Sequence, residues 1–187
     1  MLPTILIVIA VVIIGLVIVV SLRPAEFRVT RASSILGRPE AVFAEVNDLH
    51  RWEAWSPWAK LDPKAKSTYE GPAAGVGAVF AWSGNNQVGE GRMTIVESRR
   101  NELVGFKLEF MRPFKATNAA EFTFRPEGNQ TVVTWTMSGK NNFLSKAMGL
   151  FVNCEKMVGG QFEKGLATMK SVVETETNEP AVASARS

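Results

Sequence analysis

The chain opens on an apolar run. From Ile5 to Val20 every residue is Ile, Leu, Val or Ala except Gly15, and Arg23 is the first charged side chain. An apolar helix rises about 1.5 Å per residue, so about twenty such residues cross the roughly 30 Å hydrocarbon core of a bilayer. A helix also pairs its own backbone groups inside lipid, which a lone strand does not. The run predicts a transmembrane anchor over residues 1–22. Two other segments would read similarly, a cleaved signal peptide and a buried core helix. The first normally carries a basic leader and a small-residue cleavage site, and here no Lys or Arg precedes the run. The second is seldom apolar all round.

Behind a short linker over 23–26 the period changes to two. Phe27, Val29 and Ile35 alternate with Arg28, Thr30 and Ser34, which predicts a strand over 27–36 with Arg31 and Ser33 on its apolar side. Pro39 then opens a short helix through Val46, with Val42, Phe43 and Val46 as its buried stripe, and a second short helix is predicted from Leu49 to Trp55. Alternating runs follow over 66–70, 78–83, 88–98, 103–110, 117–125 and 131–138. They are separated by turn signals such as Gly84-Asn85-Asn86 and Glu127-Gly128-Asn129. The clearest places Val104, Phe106, Leu108 and Phe110 opposite Lys107 and Glu109. Short turns between alternating strands require antiparallel pairing.

From about Phe143 the spacing is helical. Leu144, Met148 and Phe151 fit a first piece, and Val158, Phe162, Leu166, Met169 and Val173 form one long stripe. Gly159-Gly160 would weaken a solvated helix, so they indicate a bend or the close approach of something bulky. The polar residues 174–187 are predicted to be a disordered tail. The fold class is therefore α+β. A curved antiparallel sheet of about seven strands wraps a long C-terminal helix, with two short helices after the first strand and one transmembrane helix in front.

Composition narrows the chemistry. A net charge of +3 with scattered Lys and Arg argues against a nucleic-acid partner. Cys154 and His50 are the only residues of their types, so thiolate zinc sites, an internal disulfide and His-based metal clusters are excluded. No metal and no cofactor are expected. Arg23, Arg28, Arg31 and Arg38 follow the apolar run, which by the positive-inside rule places a single-pass protein's soluble domain in the cytoplasm.

The order of elements, with Trp52-Glu53-Ala54-Trp55-Ser56-Pro57-Trp58 after the first helices, resembles the START-like superfamily. That superfamily, also called SRPBCC, includes polyketide cyclase/dehydrase-like and lipid-transfer proteins. Gly89-Glu90-Gly91-Arg92-Met93, Ala120-Glu121-Phe122-Thr123-Phe124 and Gly160-Gln161-Phe162-Glu163-Lys164-Gly165-Leu166 fit its strands and its last helix. The resemblance covers residues 27–173 and looks closest to uncharacterised bacterial members. It implies a helix-grip fold with a hydrophobic cavity between sheet and helix, and an apolar ligand. It carries no shared catalytic motif.

Site residues follow from both readings. Trp55, Trp58, Trp82, Glu90, Phe110, Phe122, Trp135, Met157 and Phe162 are the expected ligand-binding residues; core packing competes equally for Phe110, Phe122, Met157 and Phe162 and is the favoured role of the tryptophans. Glu90, flanked by two glycines, is the better carboxylate candidate for a general acid or base; Glu109 and Glu121 fall opposite the apolar positions and are expected to be solvated. His50 could serve as a general base, but beside Arg51 it reads as a solvated surface histidine, and Cys154 reads as a small core residue without an activating partner. Arg31 is a candidate partner for a ligand's acidic head group or for Glu90. The leading function is membrane-tethered binding of a lipid, quinone or polyketide-like molecule, held to the membrane by Leu2 to Leu22. The alternatives are a cyclase- or dehydratase-type enzyme acting on an aromatic or polyketide substrate, and a co-chaperone-like interaction module. The sequence leaves the ligand and the oligomeric state open.

Overall fold

The computed structural model describes residues 2–150 and 153–184. The apolar run is one helix, α1 (Leu2–Ser21), and its Ile, Leu and Val side chains are exposed on all sides from Ile5 to Val19. It is long and apolar enough to cross a bilayer. Only its last turn meets the domain. Val20 is buried, α1 packs against α4 (Phe143–Met148), and the Lys146 ammonium lies 3.5 Å from the Ser21 carbonyl, one of the acceptors a helix end leaves unpaired.

The strands are β1 (Glu26–Leu36), β2 (Lys66–Glu70), β3 (Val79–Ser83), β4 (Glu90–Arg99), β5 (Leu103–Arg112), β6 (Ala116–Glu127) and β7 (Gln130–Lys140). They form one antiparallel sheet in the order β1-β7-β6-β5-β4-β3-β2. Pairing carries the alternation across the sheet. Val29 opposes Met137, Met137 opposes Ala120, Phe106 opposes Ala120 and Ile95, and Phe80 opposes Met93. These residues share the concave face, where the core lies. The edge strand β2 is short and exposed throughout, which limits what another chain can pair with.

Between β1 and β2, α2 (Pro39–Asn47) begins on Pro39 and ends at Asp48, whose side chain accepts from the His50 amide and starts a 3-10 turn over Leu49–Arg51. Then α3 (Trp52–Trp55) delivers two indoles. Trp52 Nε1 donates to the Val46 carbonyl (3.0 Å) and Trp55 Nε1 to the Glu45 carbonyl (3.1 Å). Each indole buries its ring and satisfies a carbonyl of the helix before it.

The long helix α5 (Cys154–Ser184) lies across the concave face and runs in the same direction as β1, from Glu155 at Arg31 to Glu174 at Leu36. Its stripe is buried as expected at Phe162, Leu166, Met169 and Val173. It also covers the outer edge of β1: Lys170 Nζ donates to the Ser34 carbonyl (3.0 Å) and the Leu36 amide donates to Glu174 (2.8 Å). On sequence alone the domain closes at Val173, yet the helix continues to Ser184. Glu174 holds the β1 edge, and the Thr175 and Thr177 hydroxyls donate to carbonyls one turn back. The side chains of Leu144, Phe151 and Cys154 lie outside the described residues.

Candidate functional site

The concave face divides into two halves along the strands. The half away from α1 is filled. Trp135 on β7 stacks on Phe162 of α5 with ring centroids 4.0 Å apart and planes within 7°, and on Phe122 of β6 at 4.6 Å. Trp52 meets Phe106, Phe122 and Trp135 edge-on at 5.4–6.1 Å. Trp55 meets Phe122 and Trp135 in the same way, and Trp58 closes the stack over Trp135 and Phe162. Trp55, Phe122, Trp135 and Phe162 are at most 3 % exposed. Offset and edge-to-face contacts at these distances are the favoured aromatic geometries, so this half is packed core.

The other half lies toward α1 and is only partly covered. Phe80 and Trp82 on β3, Leu108 and Phe110 on β5, and Met137 on β7 line it, all half-buried. Trp82 stacks on Phe80 at 5.9 Å, meets Phe110 edge-on at 5.9 Å, and donates its indole N–H to the Val88 carbonyl (3.0 Å). Gly91 makes this possible. A Cβ there would stand 2.6 Å from the Trp82 ring and 2.7 Å from the Glu109 carbonyl. Met157 on the first turns of α5 is largely exposed at the same end.

The structure thus brings Trp55, Trp58, Phe122, Trp135 and Phe162 together in one cluster and Trp82 with Phe110 in a second. It sets Glu90 apart. Glu90 opposes Ser83 and Arg112 on the convex face, where it accepts from Arg112 Nε at 2.7 Å while Arg112 also donates to Ser83. Glu109 is likewise on the convex face, where its bond to the Lys107 ammonium, helped by Arg92, holds its carboxyl below the usual range.

Arg31 does not reach Glu90, because β1 and β4 stand at opposite sides of the sheet with β7, β6 and β5 between them. Its guanidinium forks instead to two carboxylates of α5, Glu163 through Nε and Glu155 through Nη2 (2.8 Å), and both bonds raise its pKa. The fork passes over Gly159, where any side chain would collide with the guanidinium. The close approach anticipated at Gly159-Gly160 is that of Arg31.

His50 sits on the 3-10 turn, exposed, with Nδ1 3.1 Å from Asp48 and its ring stacked 4.1 Å from Tyr69. A pocket of about 230 Å³ lies between this turn and the strands β2 and β3, lined in part by Leu49, His50, Tyr69 and Val79. Sequence reasoning passed over Glu45, which is 2 % exposed on α2 and bonded to Arg51. Burial raises its carboxyl's pKa, and the Arg51 bond only partly offsets the rise. Among the described residues no three His, Cys, Asp or Glu side chains gather into a metal site.

Against known proteins, the family model described as polyketide cyclase / dehydrase and lipid transport matches residues 26–174. The chain belongs to this family. Solved structures share its fold at low identity. Protein CV1439 from Chromobacterium violaceum superposes with a TM-score of 0.56 at 14 % identity, covering 81 % of this chain and 99 % of that one. The Aha1 dimer from Colwellia psychrerythraea gives 0.58 at 16 %, covering 79 % and 96 %. The di-domain ARO/CYC StfQ from the steffimycin biosynthetic pathway gives 0.59 at 11 %, covering 82 % and 52 %. No curated protein matches the chain. In this polyketide cyclase/dehydrase family member, the matched segment is the sheet with α2, α3, α4 and α5 to Glu174, and α1 precedes it.

Proposed function

We propose that the domain binds an apolar small molecule, of lipid, quinone or polyketide type, on the half of the concave face that lies toward α1, and that α1 tethers it to the membrane. One observation carries this reading. The far half of the face is closed by stacked aromatics, whereas the near half keeps Phe80, Trp82, Leu108, Phe110 and Met137 only partly covered. A concave apolar wall with few polar groups is what an apolar ligand requires. Trp58, half-buried against Trp135 and Phe162, would form the floor. Its family, described by polyketide cyclase / dehydrase and lipid transport, fits such a ligand. The side chains of α1, exposed all round, favour lipid as their surroundings over a protein core, and Arg23, Arg28, Arg31 and Arg38 favour a cytoplasmic domain.

The test is energy transfer from tryptophan to an anthroyloxy fatty acid, with the full chain held in nanodiscs. Saturable transfer is expected, and Trp82→Ala should weaken uptake about tenfold, equivalent to about 1.4 kcal/mol. Unsaturable transfer identical to that of empty discs would end the reading.

An enzymatic reading of the cyclase or dehydratase kind draws on one different observation. Asp48 holds His50 Nδ1 at the rim of the 230 Å³ pocket, which leaves Nε2 available as a base. It requires that His50→Ala abolish turnover of an aromatic polyketide substrate, and undiminished turnover would exclude this site.

A further inference from the structure

The end of the domain from which α1 leaves has a composition that the fold does not explain. The first residues of β1 and the last of β7 lie there, joined to the linker by the Asn141 amide donating to the Ala25 carbonyl (2.8 Å) and Asn141 Nδ2 donating to Pro24. Strand direction brings the β5–β6 turn to this same end, because Phe110 opposes Ala116 and Asn118 opposes Gly139. α5 starts there too, since Gly159 faces Arg31 while Glu174 faces Leu36.

Large apolar side chains stand in the open around this end. Met111 and Phe114 flank the β5–β6 turn, Phe143 and Met148 bracket α4, and Met157 is on α5, all 40–57 % exposed. Bases are interleaved with them: Lys115 in the turn, Lys146 on α4 and Lys156 next to Met157. Acidic groups of this end have partners already: Glu90 is bonded to Arg112, Glu155 to Arg31, and Asp62 accepts from the Lys64 and Asn85 amides. None of these apolar residues lies in the concave wall, and their burial is not needed for the core.

We propose that this rim seats in the headgroup layer of an anionic bilayer, the same bilayer that α1 enters. The proposal rests on the tether reading above and goes beyond it, because a tether alone lets the domain hang clear of the lipid. Continuity and charge select the occupant. α1 packs directly on α4, so Phe143 and Met148 stand beside the point where the chain leaves the domain. Apolar tips among lysines match a surface of acyl chains beneath anionic headgroups, and a neutral protein face would leave the lysines unanswered. Seated in this way, the open half of the concave face meets lipid without crossing bulk water.

The methionines supply the test in the wild-type full chain. Hydroxyl-radical oxidation of Met111, Met148 and Met157 is measured in nanodiscs of phosphatidylcholine alone and of phosphatidylcholine mixed with phosphatidylglycerol. All three are expected to oxidise several-fold more slowly in the anionic discs. Met93 and Met169, buried in the core, report any unfolding. The double variant Lys115→Glu, Lys146→Glu should erase the protection. Equal rates in the two discs overturn the proposal. Alkaline carbonate extraction separates the two readings: a chain that stays with the membrane but shows equal rates refutes the seating alone, and a chain released by carbonate refutes the tether and the seating with it.

Discussion

The two halves of the concave face are made of the same materials and do opposite things. Both draw on tryptophan and phenylalanine from β3 to β7. In the far half, α2 and α3 bring Trp52 and Trp55 down onto Phe106, Phe122 and Trp135, and α5 adds Phe162, so every ring has a ring beside it. In the near half no short helix arrives. Trp82 leans on Phe80 and Phe110 over the bare backbone of Gly91, and the wall stays partly open. An aromatic residue on this sheet therefore belongs to the packed core or to the open wall according to whether α2 or α3 reaches it, and its residue type does not decide the matter.

The largest effect is expected where that distinction is sharpest. Trp135→Ala removes a ring stacked on both faces and leaves a hole that rigid neighbours cannot fill, at a cost of about 3–5 kcal/mol. Trp82→Ala removes a half-buried ring at the open end and should cost only about 1–2 kcal/mol while weakening fatty-acid uptake. Urea unfolding of both variants in parallel measures the contrast. Equal losses would mean that the near half is core as well.

Much of this was legible along the chain and some was not, for identifiable reasons. Strand faces were legible, because Val104, Phe106, Leu108 and Phe110 keep their period without a break and the pairing register preserves it. So was the buried stripe of α5 from Phe162 to Val173. The division into a closed and an open half was not, since it depends on where three residues of the Trp52–Trp58 segment land, and that is set by indole bonds to the end of α2. Period alone also assigns Glu90 to the face opposite Gly91 and Met93; its flanking glycines drew attention to it, yet Gly91 serves the Trp82 ring. Glu45 gave no signal, because a carboxylate one position before Val46 looks solvated until the chain doubles back and presents Arg51.

That buried pair gives the next effect in size. Arg51→Ala strands the Glu45 carboxylate inside the closed half, and because the arginine is itself half-exposed the loss should be about 2 kcal/mol at neutral pH. The sign of the pH dependence follows from the direction of the shift. Glu45 is raised in the folded state, so its protonated form is the one that folding favours. Its contribution is fully present below the ordinary carboxylate range and is lost as pH rises through the raised value. Without Arg51 the value moves further up. The deficit of Arg51→Ala should therefore be small near about pH 4 and grow toward about pH 8, and Glu45→Gln in the same background should flatten it. Melts across that range that keep a constant deficit would show that the arginine acts through packing alone.

The smallest effect probes the hinge between the halves. Gly159 lies beneath the Arg31 fork, where α5 passes from the open half to the closed one. Gly159→Ala sets two terms against each other. Alanine in a helix interior gains about 1 kcal/mol over glycine. Against this, the guanidinium must move, and its ion pairs to Glu155 and Glu163 are exposed to solvent and contribute little. The displaced group is the far end of a flexible side chain, so helix propensity should win, and the variant should be as stable as wild type or up to about 1 kcal/mol more so. Its uptake of a fluorescent fatty acid should be faster, because the fork that holds the first turns of α5 against β1 is released. A variant destabilised at low salt and restored at high salt would reverse the ranking of the two terms. The fork would then be part of what keeps the closed half closed, and the boundary between the halves would run through Arg31.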